Sequence, residues 1–256
     1  MMSERERNGQ YATADRLNRR ISMHEKYSVN RQGFHPWIFS HYALRAGDRI
    51  LELGCGTGET WERAAYKVPE GCRLVLTDVS PGMVETARER LSCFPFISFQ
   101  TADIQELPFP DDAFDAVIAN MMLYHVPDIQ KGLKEARRVL KEGGKFYCAT
   151  YGEHGIMEYL SALLEQFGVR DPMNRRFTLQ NGEVMLKNCF SSVIRLDYPD
   201  ALAVTQPEDL ADYLYSLGSM MRLDPALRGE MVDALRREMK NGVLMVPKEY
   251  GMFICE

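Results

Sequence analysis

The sequence predicts an α/β protein built on a doubly wound, mostly parallel sheet, and three observations carry that reading. First, Asp48 to Leu53 reads as a buried strand running into the glycine-rich turn Gly54-Cys55-Gly56-Thr57-Gly58. The helically spaced Trp61, Ala64, Ala65 and Val68 follow it over Glu59 to Val68. Second, short apolar runs alternate with helical patterns from there to Thr150, the order expected of parallel strands joined by crossover helices. Third, 256 residues that are 45% hydrophobic and 26% charged suit one sizeable globular domain.

Residues 1–12 are polar and expected to lack order. Asp15 to Phe39 carries Leu17, Ile21, Met23, Tyr27, Val29, Phe34, Trp37, Ile38 and Phe39, too many large apolar groups for a tail, so this segment must pack, as helices on a sheet edge or as a lid over the glycine loop. Arg73 to Asp78 is a second strand ending in an acid, and Ser80-Pro81 opens a helix with serine as N-cap and proline at its first position. Phe96 to Gln100 alternates as a third strand; the turn-rich Leu107 to Asp115 leads into a fourth, Ala116 to Ala119. Asp128 to Leu140 is helical, Lys141 to Gly144 turns, and Lys145 to Thr150 is the fifth strand. Beyond it come a helix over Glu153–Phe167, one from Asn181 or Gly182 to about Phe190, a strand over Ser192–Tyr198 continued by Ala201–Thr205, helices opened by Pro207 and Pro225, and a last strand, Tyr250–Cys255. The boundaries that result are a single domain over 1–256, with an N-terminal helical lid at 1–45, a ligand-binding core at 46–152, and a C-terminal half at 153–256 with a helical insertion at about 206–246 that can close a pocket.

A net charge of −5 and a pI near 5.7 argue against a nucleic-acid partner, because sequence-independent affinity rests on Lys and Arg neutralising phosphates. The longest apolar stretch, Phe114 to Val126, is broken by Asp115, Asn120 and His125, so no membrane span is expected. Six scattered cysteines without a C-x-x-C pair and a charged N-terminus point to a reduced, cytoplasmic protein. His24, His35 and His41 lack metal-ligand spacing.

The glycine turn narrows the ligand. In the dinucleotide fingerprint the third glycine would fall at position 59, which holds Glu59, and Glu52 would repel a pyrophosphate while attracting a cation. Asp78 ends its strand 20 residues beyond Gly58, where an acid reaches ribose hydroxyls. The run E-x-G-x-G-x-G from Glu52 to Gly58 resembles the first motif of class I methyltransferases dependent on S-adenosylmethionine (SAM). Leu107-Pro108-Phe109-Pro110-Asp111-Asp112-Ala113-Phe114-Asp115 and the L-x-x-G-G-x-F step from Leu140 to Phe146 are similar to further motifs of the small-molecule "methyltransferase type 11" group. The resemblance covers about Asp48 to Gly152 densely.

It implies a seven-stranded Rossmann-like sheet whose last strand is antiparallel, SAM as methyl donor with S-adenosylhomocysteine as product, and no metal. By the same resemblance Glu52, Gly54, Cys55, Gly56 and Gly58 serve the amino-acid end of SAM. Val79 and Met83 flank the ribose acid Asp78, Asp103 takes the adenine amine, and Ile104 covers the ring. Asn120 lies at the methyl-transfer edge, and Tyr27 of the lid reaches the amino-acid or sulfonium end. Tyr124 and His125 are the catalytic candidates: His125 serves as general base or orients the acceptor, or else turns inward to hydrogen-bond backbone while Asn120 or Tyr124 faces the acceptor. The expected reaction is methyl transfer to an O, N or C atom of a small organic acceptor. The alternatives are a non-catalytic SAM-binding or regulatory protein and an NAD-dependent oxidoreductase. The acceptor's identity and the oligomeric state have no signal in the sequence.

Overall fold

The structure, a computed structural model, describes residues 22–217 and 223–256; Leu17, Ile21 and the polar stretch 1–12 lie outside the described residues. The chain packs as two compact units. The larger comprises Phe34–Gly152, Asn174–Tyr198 and Tyr250–Glu256; the smaller comprises Glu153–Met173, Pro199–Glu249 and the described residues up to Gly33.

The larger unit begins with α1 (Phe34–Ser40) and then alternates: β1 (Arg49–Leu53), α2 (Glu59–Ala64), β2 (Arg73–Asp78), α3 (Pro81–Arg90), β3 (Ile97–Thr101), β4 (Phe114–Ile118), α4 (Ile129–Val139) and β5 (Leu140–Tyr151). Further along the chain come α5 (Ile156–Leu163), α6 (Gly182–Leu186), β6 (Val193–Val204), α7 (Pro207–Ser216), α8 (Arg228–Glu238) and β7 (Leu244–Cys255). The seven strands lie in the order β3-β2-β1-β4-β5-β7-β6. β1 pairs in parallel with β2 and β4, β2 with β3, and β4 with β5, whereas β7 runs antiparallel to β5 from Phe146↔Cys255 to Tyr151↔Tyr250. This is a Rossmann-like, mostly parallel sheet that reverses its winding between β1 and β4, the place where open α/β sheets bind ligands.

The central strands are buried on both faces, and for that reason they read as continuous apolar runs. Ile50, Leu51, Leu74, Leu76, Val117 and Ile118 are fully buried. One cluster includes Leu53, Val117, Leu133, Phe146 and Phe253, and another includes Ile50, Trp61, Leu74, Ala87's neighbour Leu91 and Tyr147. One sequence cue holds at atomic level, the Ser80 side chain capping α3 at Met83 N–H; Asp128, expected within its helix, instead precedes α4 and caps it at Lys131 N–H, 3.0 Å away. The turn-rich run before β4 is tied down by one guanidinium: Arg138 of α4 donates to the carbonyls of Phe109 (2.8 Å) and Leu107 (3.0 Å) and to Asp111 and Glu135.

Several elements depart from the sequence expectation: the helix expected over Glu153–Phe167 is α5 followed by a 3-10 turn at Glu165–Phe167, α6 ends at Leu186 and not near Phe190, and three others differ more. Lys141 to Gly144 does not separate a helix from β5 but belongs to the strand, as an irregularity in which Phe114 pairs Leu140 while Ala116 pairs Lys145; Gly143 there has φ +71°. The helix from Glu59 ends at Ala64 and tightens into a 3-10 turn over Ala65–Lys67. β7 starts at Leu244, six residues before Tyr250, because a buried lysine interrupts the apolar alternation: Leu244, Val246 and Lys248 are the buried positions.

In the smaller unit, Lys248 Nζ lies 2.6 Å from Asp200, with side-chain exposures of only 4% and 0%. Burial alone would push the Asp200 carboxyl up, but Lys248, the Ser28 hydroxyl and Asn30 N–H hold it below its ordinary value. Residues 22–27 are helical, and Val29 N–H donates to Ala201 of β6 at 2.9 Å.

Candidate functional site

Every candidate residue except Tyr27 belongs to the larger unit, around the C-terminal ends of β1 to β4. Tyr27 belongs to the smaller unit, where it is buried and its hydroxyl donates to Asp209 at 2.5 Å.

The three loop glycines have different physical reasons. A Cβ on Gly54 would fall 2.8 Å from Met122 Cβ, and one on Gly58, at φ +74°, would fall 2.9 Å from Leu91 Cδ1; both positions are closed to larger residues by the protein itself. A Cβ on Gly56, at φ +55°, would have no heavy atom within 4 Å, so Gly56 borders open space. Cys55 donates its N–H to Thr77 at 2.9 Å, and burial, Glu52 and Asp78 raise its thiol pKa, so it is no nucleophile.

Two carboxylates flank this loop. Asp78 Oδ2 accepts Gly56 N–H at 3.0 Å and Oδ1 accepts Ser80 N–H at 2.9 Å, so one side chain fixes both the glycine turn and the start of α3 while each oxygen keeps a free lone pair. Glu52, 3% exposed on β1, accepts the Trp61 indole N–H at 2.5 Å. Spacing alone assigns Trp61 to the core face of α2; its N–H also sets the orientation of the carboxylate. Burial pushes the Glu52 carboxyl up to about 7, opposed by the Trp61 hydrogen bond and reinforced by the Asp78 charge.

Beyond the acids, apolar surface is left bare: Val79 is 68% and Met83 44% exposed, immediately after Asp78. Asp103 is exposed and accepts the backbone N–H of Gln105 at 2.8 Å. Ile104 is buried with its side chain against Gly132, where a Cβ would meet it at 3.3 Å.

At the end of β4, Asn120 Nδ2 donates to the Tyr42 hydroxyl at 2.6 Å, while Asn120 Oδ1 is buried without a hydrogen-bond partner among the described residues. Met121, next in the chain, sits at φ +53°, a left-handed conformation that costs a side-chain-bearing residue about 1–2 kcal/mol. Its N–H to Ala149 O, 2.8 Å, holds it there. Neither Tyr42 nor the Met121 strain has a local sequence signal. Tyr124 is buried with its ring 4.5 Å from that of His125, and burial keeps its phenol protonated well past neutrality; His125 itself is exposed.

Together these groups form a cradle rich in acceptors and poor in cations: a buried carboxylate, a second carboxylate, an orphaned carboxamide oxygen, an open glycine and exposed apolar side chains. A cation bearing N–H donors and a flat apolar moiety fits it, and SAM is such a molecule. A pyrophosphate would meet Glu52 and Asp78 with like charge. Among the described residues no group of three or more His, Cys, Asp or Glu side chains is placed to hold a metal, and no helix is long and apolar enough to cross a membrane.

Residues 51–148 match the family model of the methyltransferase domain. Over 119 residues the chain is 41% identical to a demethylmenaquinone methyltransferase of Symbiobacterium thermophilum, a match covering 45% of this chain and 47% of that one. The chain thus spans about half the length of the curated relatives it matches. The YcgJ protein of Bacillus subtilis superposes with a TM-score of 0.57 at 20% identity, covering 86% of this chain and 96% of that one. Phosphoethanolamine N-methyltransferase 2 of Haemonchus contortus, solved with S-adenosylhomocysteine, superposes with a TM-score of 0.52 at 18% identity over 93% of this chain and 52% of that one.

Proposed function

We propose that this chain, whose residues 51–148 match the methyltransferase-domain family, is a class I enzyme that transfers the methyl group of SAM to a nucleophilic O, N or C atom of a small organic molecule, with S-adenosylhomocysteine released. The observation that carries the reading is the pair of carboxylates, Glu52 and Asp78, on either side of the open Gly56. Bound SAM supplies an activated methyl on a sulfonium that is already a good leaving group. The chain is left to bind, orient and exclude water. Glu52 accepts from the ammonium of the amino-acid end, Asp78 accepts from the ribose hydroxyls through its free lone pairs, Asp103 takes the adenine amine, and Val79 and Met83 cover the apolar surfaces of the nucleoside.

For the acceptor, His125 is the proposed base: it is exposed beside the end of β4, and an imidazole nitrogen can take a proton from the acceptor within hydrogen-bond reach. Tyr124, kept protonated by burial, suits a hydrogen-bond donor that orients the acceptor. His125→Ala should lower turnover at saturating SAM by about 10²-fold or more, and a loss of less than a few-fold removes it from the chemistry.

The relatives' names make demethylmenaquinone, offered in its reduced form as well, the first acceptor to try, although the match covers only 45% of this chain. The purified chain is incubated with methyl-labelled SAM and a panel of quinols, phenols, amines and carbon acids. Label in one acceptor with equimolar S-adenosylhomocysteine is the expected result; SAM binding without transfer to any of them contradicts the enzymatic reading.

A further inference from the structure

Tyr42 lies in the connection between α1 and β1 and is 9% exposed. Its ring packs against Tyr147 with centroids 4.9 Å apart, and the Tyr147 hydroxyl accepts the N–H of Ala43 at 2.9 Å, so ring and backbone are fixed together. Burial and the nearby Glu52 carboxylate keep the Tyr42 hydroxyl protonated, and it accepts one hydrogen bond, from Asn120 Nδ2. The other end of that carboxamide, Oδ1, is buried and unpartnered among the described residues.

A carboxamide presents a donor or an acceptor depending on which way it is turned; the Tyr42 hydroxyl can pair with either end, and here it is the amide nitrogen that meets it, 2.6 Å away. With the amide nitrogen taken by Tyr42 and the backbone fixed by the strained Met121, Oδ1 is the atom left for a ligand. A buried acceptor without a partner is costly, and the cost is recovered when a donor arrives. The sheet order β3-β2-β1-β4 also sets the sequence of groups: Asp103, Asp78, the glycine loop, then Asn120. With the nucleoside over the first two, the part of the donor beyond the ribose falls to Asn120.

We propose that Tyr42 is a positioning residue for the methyl donor: it holds the Asn120 carboxamide so that Oδ1 faces the ammonium group at the amino-acid end of SAM, acting through Asn120 without touching the ligand. This rests on the SAM-binding function proposed above. The test is calorimetric titration of the whole chain and of Tyr42→Phe, Asn120→Ala and the double variant, with two ligands: SAM, and 5′-methylthioadenosine, which lacks the amino-acid end. Melting temperatures are recorded alongside. Tyr42→Phe keeps the ring on Tyr147 and should weaken SAM about three- to ten-fold, the size of one hydrogen bond, while leaving methylthioadenosine unchanged. In the Asn120→Ala background the same change should add nothing. Equal losses for both ligands, additive losses in the double variant, or undiminished SAM affinity in Tyr42→Phe overturn the proposal. If Tyr42→Phe does not fold, Asn120→Ala decides alone, since it must lose SAM affinity and keep that for methylthioadenosine. Failure of the wild-type chain to bind either ligand overturns the SAM reading itself, and this one with it.

Discussion

Replacing Glu52 with glutamine should make the protein more stable above neutral pH and worse at binding its ligand. The wild-type carboxyl is raised by burial from an ordinary 4.5 to about 7. The folded chain therefore holds a proton that the unfolded chain has lost between pH 4.5 and about 7. Stability falls as pH rises through that window, by up to about 3 kcal/mol once Glu52 is ionised in place. Glutamine keeps an acceptor for the Trp61 N–H and carries no charge. Melting curves of wild type and Glu52→Gln from pH 4.5 to 8 should therefore diverge, the variant gaining roughly 6–12 °C relative to wild type at the upper end. SAM reverses the preference: its ammonium group favours the ionised carboxylate, and losing a charge-assisted hydrogen bond should weaken it roughly 10- to 100-fold in the variant. Near pH 6.5 binding should also expel protons from the wild type, seen as a dependence of the calorimetric heat on buffer ionisation enthalpy that Glu52→Gln abolishes. A melting difference that stays constant across this pH range would refute the buried, proton-holding carboxyl.

Asp78→Ala removes the acceptor of two backbone N–H groups as well as the proposed ribose contact, and calorimetry on the folded variant should show SAM weakened roughly 10- to 100-fold. Gly58→Ala forces a Cβ to 2.9 Å from Leu91 at φ +74° and should cost about 1–3 kcal/mol in denaturant melts. Gly56→Ala, with free space around it, should cost the fold about 1–2 kcal/mol from its backbone conformation alone, yet impair SAM binding severely. Lys248→Met strands Asp200 in the interior and should destabilise by about 3–5 kcal/mol; an apolar residue at both positions should recover most of the loss in the same melts.

The parallel core was legible because its signals are local. A strand buried on both faces is an apolar run, a glycine turn needs its glycines, and Ser80 announces its helix one residue ahead. Asp78 was legible for the same reason, since its position follows from the strand it ends. The remainder depends on what lies far away in the chain. Lys248 looks like a solvent-facing residue until Asp200 is placed beside it, so the first half of β7 was hidden by its own buried charge. That Met122 and Leu91 close the Cβ positions of Gly54 and Gly58 while Gly56 stays open depends on contacts no local pattern announces. Tyr42 and Asn120 are 78 residues apart, and no pattern in either neighbourhood connects them.

The measurement closest to the central claim is a calorimetric titration of the whole chain with SAM at pH 7.5, repeated with NAD. One SAM bound per chain and no heat from NAD is the predicted result. NAD binding without SAM binding, or no binding of SAM at millimolar concentration, would contradict it.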